Sequence, residues 1–289
     1  METPFRRMLS DFLSSPTAVF GLVLLAAILT VAIAAPFISP QNPYDLAQLD
    51  VMDGRLPPGA KTDGGTFWLG TDDQGRDMLS AIFYGLRISL TVGVVSTVVA
   101  LALGLALGLA AAYLGGRTET VIMRIADIQL SFPAILIALI LLAVLGQGML
   151  KIIAALVTVQ WAYYARTVRS AALVEKRKEY IEAARCLALP PSRIVFRHLL
   201  PNCLPPLIVV ATVQVAAAIA LEATLSFLGL GLPITEPSLG LLIANGYQYL
   251  LSGKYWISFF PGVALLLTIV SINLVADQLR DVLNPRLQR

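Results

Sequence analysis

The stretch Tyr180-Ile181-Glu182-Ala183-Ala184-Arg185-Cys186-Leu187-Ala188, followed beyond Leu189-Pro190-Pro191 by Arg193-Ile194-Val195-Phe196-Arg197-His198-Leu199-Leu200-Pro201-Asn202, is a charged helix–turn–helix between two long apolar stretches. Hydrophobic residues make up 57% of the 289 positions, charged residues only 13%, and the mean hydropathy is +0.78. Those values lie outside the range of soluble globular domains. In a lipid-soluble chain, a segment this polar is placed to meet a soluble partner. Strong helix formers from Lys178 to Ala188 predict a first short helix. Pro190-Pro191 stops it, Ser192 is placed to cap a second, and Pro201 ends that one. Tyr180, Ala184 and Leu187 recur at i, i+4 and i+7 with Glu182 and Arg185 on a neighbouring face, an apolar ridge edged by charge. On spacing alone, a solvated loop with positive charge on the inner side fits equally well.

Apolar runs on either side predict six crossings, near 17–38, 88–114, 125–145, 151–171, 204–230 and 257–277, each crossing needing roughly 20 helical residues. An even number puts both termini on one side. With the N-terminus inside, only Arg55, Lys61, Arg76, Arg87, Lys151 and Lys254 of the 21 lysines and arginines lie outside. Both termini are therefore expected in the cytoplasm. The expected layout is an interfacial segment at 1–15 and one transmembrane domain at 16–289, with an extracytoplasmic loop at 39–87 and a cytoplasmic loop at 172–203. Thr17 to Ile38 exceeds a signal-peptide core and lacks a cleavage site of small residues, so it is expected to stay as the first span. Phe5, Met8, Leu9 and Phe12 form one apolar face with Arg6 and Arg7 between them, which predicts either a helix lying in the inner interface or a frayed terminus. Ser15 and Pro16 then predict a capped start to the first span.

Ser96, Ala100, Gly104, Gly108 and Ala112 give the second span one face with almost no bulk. It is expected to take a helix of the same bundle, or one of a second membrane subunit. Cys186 and Cys203 both fall in the cytoplasmic loop and are expected to be free thiols. Positive charge divided by lipid excludes nucleic acid as a partner. Gly70-Thr71-Asp72-Asp73-Gln74-Gly75-Arg76-Asp77 has the glycine spacing of a phosphate loop, but Arg76-Asp77 stand where lysine and a hydroxyl residue are required. The expectation is an ordered outer loop in which Asp72 or Asp73 caps the following helix.

The cytoplasmic segment resembles the coupling loop of ATP-binding-cassette importer permeases, which begins Glu-Ala-Ala and ends Leu-Pro. Glu182, Ala183 and Ala184 match its start, and Leu200-Pro201-Asn202 its end. The family's glycine position is Ala188, where alanine would let the first helix run on and shift the turn to Pro190-Pro191. Leu69 to Asp77, Tyr84 to Arg87, Leu225-Ser226-Phe227-Leu228-Gly229-Leu230-Gly231, Phe260-Pro261-Gly262, Asn273 to Asp281 and Asn284-Pro285-Arg286-Leu287 resemble the C-type permeases of dipeptide, oligopeptide and nickel importers.

The resemblance implies an all-α membrane protein with six transmembrane helices of the importer permease type and a cytoplasmic coupling helix pair, in the bacterial inner membrane. It implies a second permease subunit of the B type, two cytoplasmic ATPase subunits and an extracytoplasmic substrate-binding protein. ATP and magnesium would be held by the ATPase subunits, and no cofactor by this chain. Residues implied to meet an ATPase are Tyr180, Glu182, Ala183, Ala184, Arg185, Leu187, Ala188, Arg193, Arg197 and Pro201. The implied cargo is a di- or oligopeptide, with nickel chelates, opines or glutathione as alternatives on the same framework.

Glu222 in the fifth span and Asp127 near the inner end of the third are costly charges in lipid, so each is expected to face protein, water or an interface. Glu222 either lines the substrate passage or is hydrogen-bonded by neighbouring hydroxyls, with Thr224 and Ser226 close by. A proton-coupled secondary transporter would relay protons through these two carboxylates, but the internal repeats and paired broken helices of that class are not visible. His198 is the sole histidine, which excludes a multi-histidine metal site. No catalytic constellation occurs within a span, and the chain is not expected to be an enzyme.

Overall fold

The computed structural model describes residues 4–45, 48–62 and 65–283, excluding the side chains of Pro4, Phe5, Arg7, Met8 and Leu9. Helix α1 (Pro4–Leu13) leads to α2 (Pro16–Ile38), where the Ser15 hydroxyl accepts from the Ala18 amide at 3.4 Å and Pro16 opens the first turn, as the Ser-Pro pair predicts. Gln278 Nε2 donates to the Asp11 carbonyl at 3.2 Å, which ties α1 to the last helix. Three side chains of the predicted interfacial face, those of Phe5, Met8 and Leu9, lie outside the described residues. So does the motif at Asn284 to Leu287.

Next come α3 (Met78–Leu114), α4 (Gly116–Leu130), α5 (Ala134–Leu145), α6 (Met149–Glu175) and α7 (Glu179–Cys186). They are followed by α8 (Pro191–Phe227), α9 (Leu239–Tyr247) and α10 (Trp256–Leu283). α3 is the central post. Its smooth face receives α6 of the same chain: a Cβ on Gly104 would stand 2.4 Å from Tyr164 Cβ, and one on Gly108 2.6 Å from the Ala165 carbonyl. Without a hydrophobic drive between helices in lipid, this close approach supplies dispersion contacts that larger side chains would prevent. Around this post, Ile28, Ile82, Ile219, Leu242 and Ile272 join α2, α3, α8, α9 and α10 in one core, while Val92, Leu142, Leu156 and Leu225 join α3, α5, α6 and α8 in another.

Among the described residues four helices, α2, α3, α8 and α10, are long and apolar enough to cross a membrane, and the pair α4–α5 makes a fifth if it is one bent span. The predicted uninterrupted span at 125–145 is corrected. α4 starts at Gly116, and the chain turns by 92° between Leu130 and Ala134. Pro133 lacks an amide and restricts Phe132, so the helix stops before it. α6, predicted as the fourth span, is 27 residues long but carries Lys151, Gln160, Arg166, Arg169 and Glu175 and is not among the four. α3 begins ten residues before the predicted 88, so part of the predicted outer loop is helix.

The segment between α2 and α3 contains a small antiparallel hairpin, β1 (Ala60–Thr62) with β2 (Gly65–Phe67), not anticipated in an all-α reading. The predicted cap is also corrected: Asp77, not Asp72 or Asp73, caps α3 by accepting from the Ser80 amide at 2.8 Å. Asp72 turns inward instead. Its Oδ1 accepts from the Gln74 and Arg76 amides at 2.8 and 3.0 Å, and its Oδ2 from Arg76 Nε at 2.6 Å. The amides that a phosphate loop would offer to a nucleotide are thus taken by the chain's own carboxylate. Arg76, fully buried, also donates to the Ile234 carbonyl at 3.1 Å, and Trp256 Nε1 donates to the Thr71 carbonyl at 3.2 Å.

Candidate functional site: a helical elbow

α6 ends at Glu175, and α7 turns back after Lys176, Arg177 and Lys178. α7 ends at Cys186, and the Ala188 amide donates to the Arg185 carbonyl at 2.9 Å and the Leu189 amide to the Ala184 carbonyl at 3.1 Å. These two bonds are the glycine-type helix stop, which needs a left-handed residue. Ala188 supplies it at φ 50°. The expectation that alanine would prolong the first helix is therefore wrong: the turn stays at 188 because the two bonds and the packing of Leu189 hold it there. Pro190 then precedes α8, whose first turn contains Pro191. Ser192 is inside that turn and makes no side-chain cap.

The second short helix does not end at Pro201. It passes through a π-helical stretch, Ile194–Leu199, and continues as α8 to Phe227. The missing amide of Pro201 would break a regular helix. Here the helix is already widened before the proline, and Asn202 Nδ2 takes up the His198 carbonyl at 2.7 Å. The second limb of the elbow and a candidate membrane span are consequently one continuous helix, with α7 set off from it by the turn at Ala188.

The faces of α7 also differ from the predicted ridge. Ile181 is fully buried and Ala184 is 4% exposed; both pack with Ile194, Leu199, Tyr113, Leu189 and Val195 against the bundle. Ala184 thus belongs to the inner face, whereas Leu187 is 74% exposed. Glu182, Ala183, Arg185, Ala188, Arg193, Arg197 and Pro201 are all exposed, so nine of the ten residues implied for the site, Tyr180 and Leu187 included, remain on the outside of one unit.

Sequence reading missed the joint beneath it. Tyr180 donates its hydroxyl to Glu175 Oε1, Lys178 Nζ lies 2.8 Å from Glu175 Oε2, and Asn202 Nδ2 donates to the Tyr180 oxygen at 3.1 Å. Burial and the Glu175 carboxylate push the Tyr180 phenol up to about 12. Burial pushes Glu175 up as well, but bonds from Lys178 and Tyr180 outweigh it and leave its carboxyl below the usual range. The i, i+3 spacing of Glu175 and Lys178 was a visible signal for the ion pair. Cys186 is exposed and Cys203 buried, and both are free, as expected.

Elsewhere, Glu222 is completely buried, accepting from Ser89 Oγ at 3.0 Å and Ser226 Oγ at 2.8 Å. Thr224 bonds the Ala220 carbonyl of its own helix instead. Asp127 pairs with Arg166 at 3.0 Å on a half-exposed surface. Among the described residues no cluster of three metal-ligating side chains occurs.

Residues 104–289 match the family described as binding-protein-dependent transport system inner membrane component, and residues 3–58 the N-terminal TM domain of oligopeptide transport permease C. The chain is 36% identical to the di/tripeptide transport system permease protein of Pseudomonas aeruginosa over 99% of its own length and 93% of that protein's. It is 40% identical to the dipeptide transport system permease protein of Escherichia coli, over 99% and 95%. In fold it is similar to a chain of the MetNI methionine ABC transporter in inward-facing conformations, with a TM-score of 0.59 and 22% identity over 72% of this chain and 98% of that one. The chain therefore belongs to the binding-protein-dependent inner membrane permeases of ABC importers, in the C-type branch of the dipeptide and oligopeptide systems.

Proposed function

We propose that this chain carries di- and oligopeptides inward as one of two unlike permease subunits, crossing the membrane six times with both termini in the cytoplasm. The partners are a B-type permease, two ATPase subunits that hold ATP and magnesium, and an extracytoplasmic binding protein that delivers the peptide. The substrate class rests on the names of the relatives. The orientation rests on the excess of lysine and arginine in the elbow and near the termini. α6 completes the six spans as a helix shielded from lipid by its close fit to α3.

The observation that carries the mechanism is that the second limb of the elbow is itself the start of α8, with α7 packed against it. Closure of the ATPases would push on Glu182, Ala183, Arg185 and Leu187; α7 bears on the first turns of α8 through Ile181 and Ala184 against Ile194 and Leu199, and that helix of 37 residues, about 55 Å long, would pass the displacement toward the outer side. Exposed Ala188, Arg193, Arg197 and Pro201 extend the docking face. Glu222 lies five residues from the far end of that helix, where its serine partners on α3 and α8 would have to move with it for a passage to open.

Glu182→Lys tests the docking. In the assembled complex reconstituted in proteoliposomes, stimulation of ATP hydrolysis by the loaded binding protein should be lost while the complex still inserts. Stimulation equal to wild type removes the proposal. Uptake of nickel instead of radiolabelled alanyl-alanine would refute the peptide assignment alone.

A further inference from the structure

Displacing the elbow moves the bundle only if the elbow is fastened to more than its own two chain connections. Two consecutive residues at the joint provide such fastening. Lys176 Nζ donates to the carbonyls of Ala112 and Tyr113 at 2.9 and 3.1 Å, in the last turn of α3, and lies 5.7 Å from the Tyr113 ring centroid. A cation is favoured there because the last carbonyls of a helix lack intrahelical partners and carry partial negative charge. Glu175, beside it, binds the Tyr180 hydroxyl of α7, and that oxygen accepts in turn from Asn202 of α8. Underneath, Tyr113 packs against Ile181, Ala184 and Leu199. α3, α6, α7 and α8 thus meet at one polar knot over an apolar patch.

We infer that Glu175 and Lys176 are positioning residues that clamp the elbow to the inner ends of α3 and α8, so that a push on α7 reaches both helices together. The inference rests on the proposed docking of an ATPase at the elbow. Lys176 is the link to α3, the central post, which has no covalent connection to the elbow. Glu175 is the link through Tyr180 and Asn202 to α8.

The test measures uptake of radiolabelled alanyl-alanine per ATP hydrolysed by the complete complex in proteoliposomes. Glu175→Gln and Lys176→Met should each lower this ratio at least about fivefold, the lower end of coupling between linked sites. Lys176→Arg should restore most of it, because the guanidinium keeps donors for both carbonyls. Tyr180→Phe should lower the ratio as Glu175→Gln does, and the double variant should fall no further. Lys61→Gln, on the exposed outer hairpin, is the control. A wild-type ratio in Glu175→Gln and Lys176→Met, or no recovery in Lys176→Arg, overturns the inference. Should Lys176→Met fail to accumulate, Tyr180→Phe decides alone, since it removes a single oxygen. A crosslinker at Ala183 separates the two claims: capture of the ATPase in wild type and variants alike keeps the docking while the ratio judges the clamp. Absence of capture in wild type refutes the docking, and the clamp is then judged by the distance between spin labels at Ala183 and Leu114. That distribution should broaden in Lys176→Met, and an unchanged width overturns the clamp.

Discussion

Replacing Ala188 by glycine should stabilise the elbow, the reverse of what glycine does in an uninterrupted helix. Ala188 sits at φ 50°, a conformation that costs an L-residue roughly 1–2 kcal/mol and glycine almost nothing. Against that gain stands the greater freedom of glycine in the opened chain, about 0.5–1 kcal/mol. The net is a stabilisation of about 0.5–1 kcal/mol, confined to the turn because the side chain is exposed. Hydrogen exchange of the assembled complex in nanodiscs reads it directly. The amides of Ala188 and Leu189, bonded to Arg185 and Ala184, should open roughly two- to fivefold less often in Ala188→Gly. Ala188→Val should open more often, since a β-branched residue at positive φ is disfavoured further. If the first helix instead ran on to the prolines, Ala188→Gly would weaken it by about 1 kcal/mol. Faster or unchanged exchange in the glycine variant would therefore refute the left-handed turn.

Gly104→Ala should lower the melting temperature of the purified protein, at a cost of about 1–3 kcal/mol, because its Cβ would stand 2.4 Å from Tyr164 Cβ and 2.6 Å from the Trp161 carbonyl. Gly262→Ala, whose added carbon meets nothing within 4 Å beyond its chain neighbours and its own helix backbone, should leave the melting temperature unchanged or higher. Arg76→Met strands a buried Asp72 and the Ile234 carbonyl and should cost about 3–5 kcal/mol, seen as loss of folded material in a thermal scan. Burial, and then Asp72, holds the Asp73 carboxyl above its ordinary range. A raised carboxyl contributes stability that is present below its unfolded pKa and lost as pH rises through the folded one. Asp73→Asn should accordingly raise the melting temperature at neutral pH, and that advantage should vanish in acid; an equal gain at both pH values would contradict the assignment.

Much of the helical framework was legible because it depends on local properties. Apolar runs of sufficient length located α2, α6, α8 and α10 to within a few residues of at least one end. Ser15-Pro16 carried its own cap chemistry. The elbow was visible because polar helix formers stand out between apolar stretches, and the exposure of Glu182, Arg185, Arg193 and Arg197 followed from their charge. Pro133 could have marked the 92° break between α4 and α5, but the hydropathy of the flanking residues runs straight across it.

The rest depends on partners remote in the chain. The smooth face of α3 announced close packing but did not name α6, whose Tyr164 lies 60 residues beyond Gly104. Arg76 resembles an exposed basic residue until the carbonyl of Ile234, 158 positions away, meets it in the buried turn before α3. Glu175 and Lys176 read as ordinary charges of a cytoplasmic loop; their roles exist only where α3, α7 and α8 converge. Ala188 is the sharpest case. By intrinsic preference alanine is the strongest helix former, yet the bonds from Ala188 and Leu189 and the packing of Ile181 and Ala184 override that preference. Sequence by itself located most of the long apolar helices and the polar segment that stands between two of them. Tertiary structure decided which faces meet and where an unfavourable backbone is held, because several contacts acting together outweigh the roughly 1 kcal/mol that any one residue's local preference can supply.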